Sequence, residues 1–254
     1  MRAISISRFE YKYWLRPEQL PAIQRFLRYY CVQDHNARSD WYKISSLYLD
    51  TGDYRLYQDA KEKLPWRVKL RIRGYGDGDG PVNLEVKRRS KARVLKTSAV
   101  LSRDEWTRGV TSGVLRVLEG EEPAYRQFAQ FQETLRATPK ILVLYQRMAF
   151  ASSVDDYVRV TFDRAIRCQR VASWSLAADP RAWLPIDHSR QATDPSSGLV
   201  MEIKFTGTPP AWLRDFTAAC GLIRSGYSKY VRAVERMNEG ESAFGVASAR
   251  WRVA

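Results

Sequence analysis

The residues with the most chemistry to offer lie in one short run. In Arg67-Val-Lys-Leu-Arg-Ile-Arg73 every odd position is basic, and Val68, Leu70 and Ile72 between them are apolar. Side chains alternate faces along a strand, so Arg67, Lys69, Arg71 and Arg73 share one face. Such a row repels itself unless carboxylates or a bound anion compensate it. Guanidinium forks meet phosphate oxygens two at a time and lysines act as point charges, so the chemistry indicated is the holding of phosphate. The same period of two sets Glu85 and Lys87 against Leu84 and Val86, and Arg159, Thr161 and Asp163 against Val158, Val160 and Phe162. It also sets Glu202 and Lys204 against Ile203 and Phe205, and Glu10 and Lys12 against Phe9, Tyr11 and Tyr13. Lys96 and Arg147 sit in strand patterns of their own.

These residues need strands to carry them. The patterning predicts strands near 3–15, 42–50, 66–74, 82–89, 93–101, 139–151, 156–167 and 199–206. Helices are expected near 17–30, 103–119, 122–136, 209–221 and 228–239, with Pro17 and Pro21 in a first turn and Ser228 as an N-cap. For one strand alone, a sheet with one wet face is the plainer reading. Five strands with charged faces favour closure around a polar lumen, with the apolar faces outward. The outward faces then need helical cover, which Trp106, Val110, Val114, Leu115 and Leu118 can supply from one helix and Phe128, Phe131 and Leu135 from the next. The expected class is α+β: an eight-stranded antiparallel β-barrel with helices packed outside. We expect one domain over 1–240, a helical insertion at about 103–137, and a tail over 241–254.

Composition narrows the function. The 254 residues carry 42 Lys plus Arg against 28 Asp plus Glu, a net charge of +14, which calls for an anionic partner. A hydrophobic content of 44% is enough for a core and excludes a disordered chain. Cys31, Cys168 and Cys220 are too few and too dispersed for a disulfide framework or a thiolate metal site. His35 and His188 cannot make a His-rich site, and His188 reads as an ordinary loop residue. A bound metal would therefore sit on carboxylates, which suits Mg²⁺ or Mn²⁺. The loop Gly74–Gly80 is neither a P-loop nor an EF-hand and reads as a turn. Met1 to Glu10 lacks the apolar core of a secretory signal, and no apolar run reaches membrane-spanning length, so a cytoplasmic setting is expected. No nucleic-acid-binding signature is present, so nucleic acid is not the expected anion.

Phe9-Glu-Tyr-Lys-Tyr-Trp-Leu15, Ser46-Leu-Tyr-Leu-Asp-Thr51, Lys69-Leu-Arg-Ile-Arg-Gly-Tyr75, Leu84-Glu-Val-Lys87, Met201-Glu-Ile-Lys-Phe205 and Ser228-Lys-Tyr230 together resemble the VTC domain. This is the catalytic domain of the vacuolar transporter chaperone complex and its bacterial relatives. The resemblance covers roughly residues 5–238. It implies membership of the CYTH-like triphosphate tunnel metalloenzymes, with an eight-stranded tunnel and synthesis of polyphosphate from ATP with Mn²⁺ or Mg²⁺. The implied partners are ATP, inorganic polyphosphate, and pyrophosphate or phosphate as primer. One departure stands out. Where hydrolytic and cyclase members carry Glu-x-Glu-x-Lys on the first strand, this chain has Arg8, Glu10 and Lys12. That resembles the polymerase branch.

On this reading Arg71, Arg73 and Lys87 act on the transferring phosphate and Lys69 helps hold the triphosphate. Lys12, Arg67, Lys96, Arg147, Arg159 and Lys204 complete the lining, and Lys229 closes one mouth. Glu202 is the first choice of metal ligand, then Glu85, then Glu10. Each glutamate has a plainer reading as the salt-bridge partner of a lining cation, Lys229 as a surface residue, and Asp163 as a strand-end turn residue. Ten lining bases against four acids would put a surplus of six positive charges in one lumen. Two other functions stay open: a triphosphatase of the same superfamily, and a non-catalytic polyanion-binding module.

Overall fold

The computed structural model describes residues 8–34, 40–78, 80–91, 93–111, 123–155, 157–177, 179–187 and 198–243. His35, His188, the C-terminal end of the expected 103–119 helix and the tail from residue 244 lie outside them.

Strands β1 (Arg8–Leu15), β3 (Tyr42–Asp50), β4 (Trp66–Tyr75), β5 (Val82–Ser90), β6 (Arg93–Leu101), β7 (Thr138–Ser152), β8 (Arg159–Arg170) and β10 (Leu199–Thr206) form one antiparallel sheet. Their order is β1-β10-β8-β7-β3-β4-β5-β6, with short β2 (Cys31–Gln33) beside β7 and β9 (Leu184–Pro185) beside β8. Lys87 on β5 reaches Glu10 on β1 at 2.8 Å although the two strands stand at nearly opposite ends of that order. Only a strongly curled sheet permits this. The eight antiparallel strands therefore curl as expected, but among the described residues the edges β1 and β6 share no ladder. Side chains, not backbone hydrogen bonds, join the rims.

The alternation read from sequence decides what each face does. Outside β1, β10 and β8, the residues Tyr13, Leu15, Phe162, Met201 and Ile203 pack beneath α1 (Leu20–Leu27) and α5 (Ala211–Ala219), which contribute Ile23, Leu27, Trp212, Leu213 and Phe216. Outside β3 to β6, Leu47, Leu70, Ile72, Leu84 and Val86 pack against Trp106 of α3 (Arg103–Thr111) and Tyr125, Phe128 and Ala129 of α4 (Pro123–Thr134). Phe128 is fully buried, and replacing such a side chain by Ala typically costs about 3–5 kcal/mol.

The concave face is only half polar. Helix α6 (Lys229–Ala243) lies against it, burying Tyr230, Ala233 and Val234 on Tyr48, Val143, Tyr145 and Ile166. A helix that the sequence pattern did not announce, α2 (Arg55–Lys61), packs there too. Its start depends on Asp50, a buried carboxylate that accepts from the backbone N–H groups of Leu56 and Tyr57, each at 2.8 Å. Tyr230 donates its hydroxyl to the same carboxylate. Asp50 thus caps one helix and anchors another.

Candidate functional site

β4 supplies one wall of the concavity. Its register puts Arg73 opposite Ser46, Arg71 opposite Tyr48 on β3, and on the other side Arg71 opposite Glu85 and Lys69 opposite Lys87 on β5. Arg71 Nε donates to Glu85 Oε2 at 2.7 Å, and Lys96 from β6 reaches Glu85 Oε1 at 2.7 Å. Arg73 approaches the same carboxylate at 3.7 Å. Glu85 is only 3% exposed. Burial alone would raise its carboxyl, but Arg71, Arg73 and Lys96 hold it well below the usual carboxylate range.

β1 and β10 supply the facing wall. Lys12 bridges Glu10 at 3.0 Å and Glu202 at 3.4 Å. Lys204 pairs with Glu202 at 2.6 Å. Burial opposes ionisation of Glu10, yet Lys12 and Lys87 bring its carboxyl down to about 2 against the push of Glu202. Glu202 is held well below its ordinary range, burial being outweighed by Lys204 and Lys12.

The floor is a third ionic cluster. Arg147 of β7 makes two hydrogen bonds to Asp163 of β8, at 2.7 and 2.8 Å, and Lys229 of α6 donates to the same carboxylate. Asp163 is fully buried in the middle of its strand. It is therefore not a strand-end turn residue, because β8 continues past it to Arg170. Lys229 is not a surface residue either. The first turn of α6 carries it inward, over the ring of Tyr145 at 4.5 Å. Burial would raise the Tyr145 phenol, but Arg73, Arg147 and Lys229 bring it down to about 8. The Tyr145 hydroxyl, Arg73 Nε, Ser46 Oγ and Thr161 Oγ1 are buried and unpartnered within the protein. Four polar atoms therefore lie without partners at the bottom of a cationic cleft.

Two of the expected lining residues stand elsewhere. Arg159 is largely exposed and pairs with Asp34 at 3.5 Å, since β8 reaches the rim there. Arg67 turns to the carbonyl of Leu64 at 2.6 Å at the outer end of β4. Lys12, Lys69, Arg71, Arg73, Lys87, Lys96, Arg147, Lys204 and Lys229 come together, with Glu10, Glu85, Asp163 and Glu202 among them. Nine bases face four acids, a surplus of five. Tyr48 and Tyr145 were not singled out in the sequence, although Tyr145 shares the parity of Arg147 and signals itself that way.

The three glutamates do not converge. Glu10 and Glu202 are neighbours on paired strands, whereas Glu85 is consumed by three cations on the other wall. No cluster of three His, Cys, Asp or Glu suited to a metal occurs among the described residues. Two adjacent carboxylates nonetheless fit a hard cation that takes most of its ligands from phosphate and water.

A model of the VTC domain matches residues 7–238. A comparison with curated proteins gives no match. Among solved structures, a Vibrio parahaemolyticus protein provisionally named an adenylate cyclase aligns with 12% identity over 90% of this chain and 98% of its own, at a TM-score of 0.47. A Pyrococcus horikoshii protein aligns with 11% identity over 91% and 98%, at 0.44. No helix among the described residues is long and apolar enough to cross a membrane.

Proposed function

We propose that this chain, which belongs to the VTC domain family, is a metal-dependent phosphotransferase that lengthens inorganic polyphosphate with the γ-phosphate of ATP. The observation that carries the reading is the gathering of nine cations and four unpartnered polar atoms on one concave face. Such a surface suits a linear polyanion better than a single phosphate. Arg71, Arg73 and Lys87 hold the transferring phosphoryl group, and Arg147, Lys229 and Lys96 neutralise charge around it. The attacking atom is a terminal oxygen of the growing chain, ionised at neutral pH, so no protein base is needed. A phosphorus–oxygen bond forms to the γ-phosphorus, the bond to the β-phosphate oxygen breaks, and ADP leaves. Glu202 with Glu10 would hold Mn²⁺ or Mg²⁺, which would supply positive charge to offset that of the phosphate groups.

Purified protein given ATP and Mn²⁺ should make acid-labile polymer, and Arg71→Ala should slow this by about 100-fold, the usual cost of one charge-stabilising donor. Release of orthophosphate without polymer would replace the reading by a triphosphatase. Absence of turnover, with tripolyphosphate and a DNA probe displacing each other equally at matched charge, would leave a polyanion-binding module.

A further inference from the structure

The lysines of the cleft are not equivalent. Lys69, Lys87 and Lys96 stand side by side on three adjacent strands, in direct register. Like charges placed directly opposite repel. Lys87 relieves this with Glu10 and Lys96 with Glu85. Lys69 has no carboxylate within ion-pairing distance among the described residues. Its ammonium instead meets Ser228 Oγ at 3.0 Å, a neutral hydroxyl that already accepts from the Val231 N–H of α6. After burial, the strongest electrostatic influences on it are all positive: Lys12 from β1, Lys87 from β5, and Arg67 and Arg71 from β4. The carboxylates of the facing wall, Glu10 and Glu202, are already held by Lys12, Lys87 and Lys204.

We propose that Lys69 is a proton-coupled anion sensor: in the empty cleft it gives up its proton at mildly alkaline pH, and it regains that proton when a phosphate chain binds beside it. The inference rests on the phosphate-binding reading above and adds that binding and protonation are one event. Its cause is electrostatic. Burial, together with Lys12, Lys87, Arg67 and Arg71, lowers the empty-state ammonium to about 7. A polyanion entering the lysine row reverses the sign of the local field and restores the ordinary preference for the charged form. Affinity must then fall as pH rises above the empty-state value, by up to tenfold per unit, because each binding event has to capture a proton.

Calorimetric titration with tripolyphosphate, without metal, in Tris and in HEPES at about pH 8 reads the proton count from the difference in heats. The parent should take up close to one proton more than Lys69→Arg, whose guanidinium is charged in either state. The protons of tripolyphosphate itself cancel in that difference. Lys69→Met, similar in length and neutral, should likewise show no excess uptake and should bind more weakly than the parent. Equal proton uptake in parent and both variants would overturn the inference while leaving the phosphate site standing. No binding by a folded parent would overturn the phosphate-binding reading and this inference with it.

Discussion

Replacing Glu85 by Gln separates the two roles this residue could have. In the structure it is a counter-ion: Arg71, Arg73 and Lys96 all converge on its carboxylate. Gln keeps the size and removes one negative charge from a buried cluster. Removing one partner of a buried ion pair typically costs about 3–5 kcal/mol, because the remaining charge is left uncompensated. Gln still offers an oxygen to Arg71, so the lower end applies, about 3 kcal/mol. At about 2–4 °C per kcal/mol for a chain of this size, the melting temperature should fall by roughly 6–12 °C. The same substitution raises the surplus of the cleft from five to six and frees three cations for a ligand. Tripolyphosphate should then bind Glu85→Gln roughly tenfold more tightly than the parent, a gain of about 1.4 kcal/mol. At a ligand concentration near 100 times the parent dissociation constant, the parent gains about 2.7 kcal/mol and the variant about 4.1. Thermal melts of both proteins with and without tripolyphosphate, in the absence of divalent metal, read both effects together. A variant as stable as the parent, or one that gains less from the anion, would refute the counter-ion argument.

Two further outcomes are expected. Glu202→Gln should keep metal-free tripolyphosphate binding but shift the Mn²⁺ requirement for turnover to higher concentration and lower the maximal rate by roughly 100-fold; an unchanged metal titration would remove Glu202 as a ligand. Asp163 should contribute stability that acid removes: its folded value of about 2 lies below its ordinary 3.8, so its contribution is full above pH 3.8 and lost as pH falls through about 2. Asp163→Asn should lose on the order of 2 kcal/mol at neutral pH and show a shallower acid limb in urea melts.

How legible the site was depended on how each residue declares itself. The lining cations of β4, β5 and β10 announce their common face through alternation with apolar residues, because a one-residue slip would bury charge under α4 or α5. Alternation assigns a face but not a position along the strand. That is why Arg159 and Arg67 share the parity of the lining yet stand at the rim. Asp163 is a residue type frequent in turns, and only the presence of Arg147 across the ladder and Lys229 from a distant helix makes it a buried anchor. α2 is short, and its capping carboxylate, Asp50, precedes it by five residues on a strand, so no local capping signature marks it. Whether the curled sheet closes by hydrogen bonds is a matter of edge geometry, which periodicity does not encode.

The open edge and the ionic cleft are connected. β1 and β5 are held together by Lys87 and Glu10, and β1 is tied to the start of α6 by Lys12, whose ammonium donates to the Tyr227 carbonyl at 3.0 Å. Ser225 N–H also reaches the Lys12 carbonyl at 2.7 Å. Lys69 joins β4 to Ser228 across the same gap. On the proposed reading, the residues that close the sheet are also the residues offered to phosphate. A phosphate chain entering on that reading has to compete with Glu10 for Lys87 and with Ser228 for Lys69. Those contacts are weaker than an ion pair fully buried from water, since the Lys87 side chain is 42% exposed. Asp163 and Glu85 sit deeper, and their pairs with Arg147 and Arg71 are largely shielded from water. The cleft thus combines a buried inner cluster with a more exposed outer one, which on the proposed reading is the part that admits the anion. On this argument ligand binding should rigidify β1 and the start of α6 more than β7 and β8, because only the former lose their own partners to the chain.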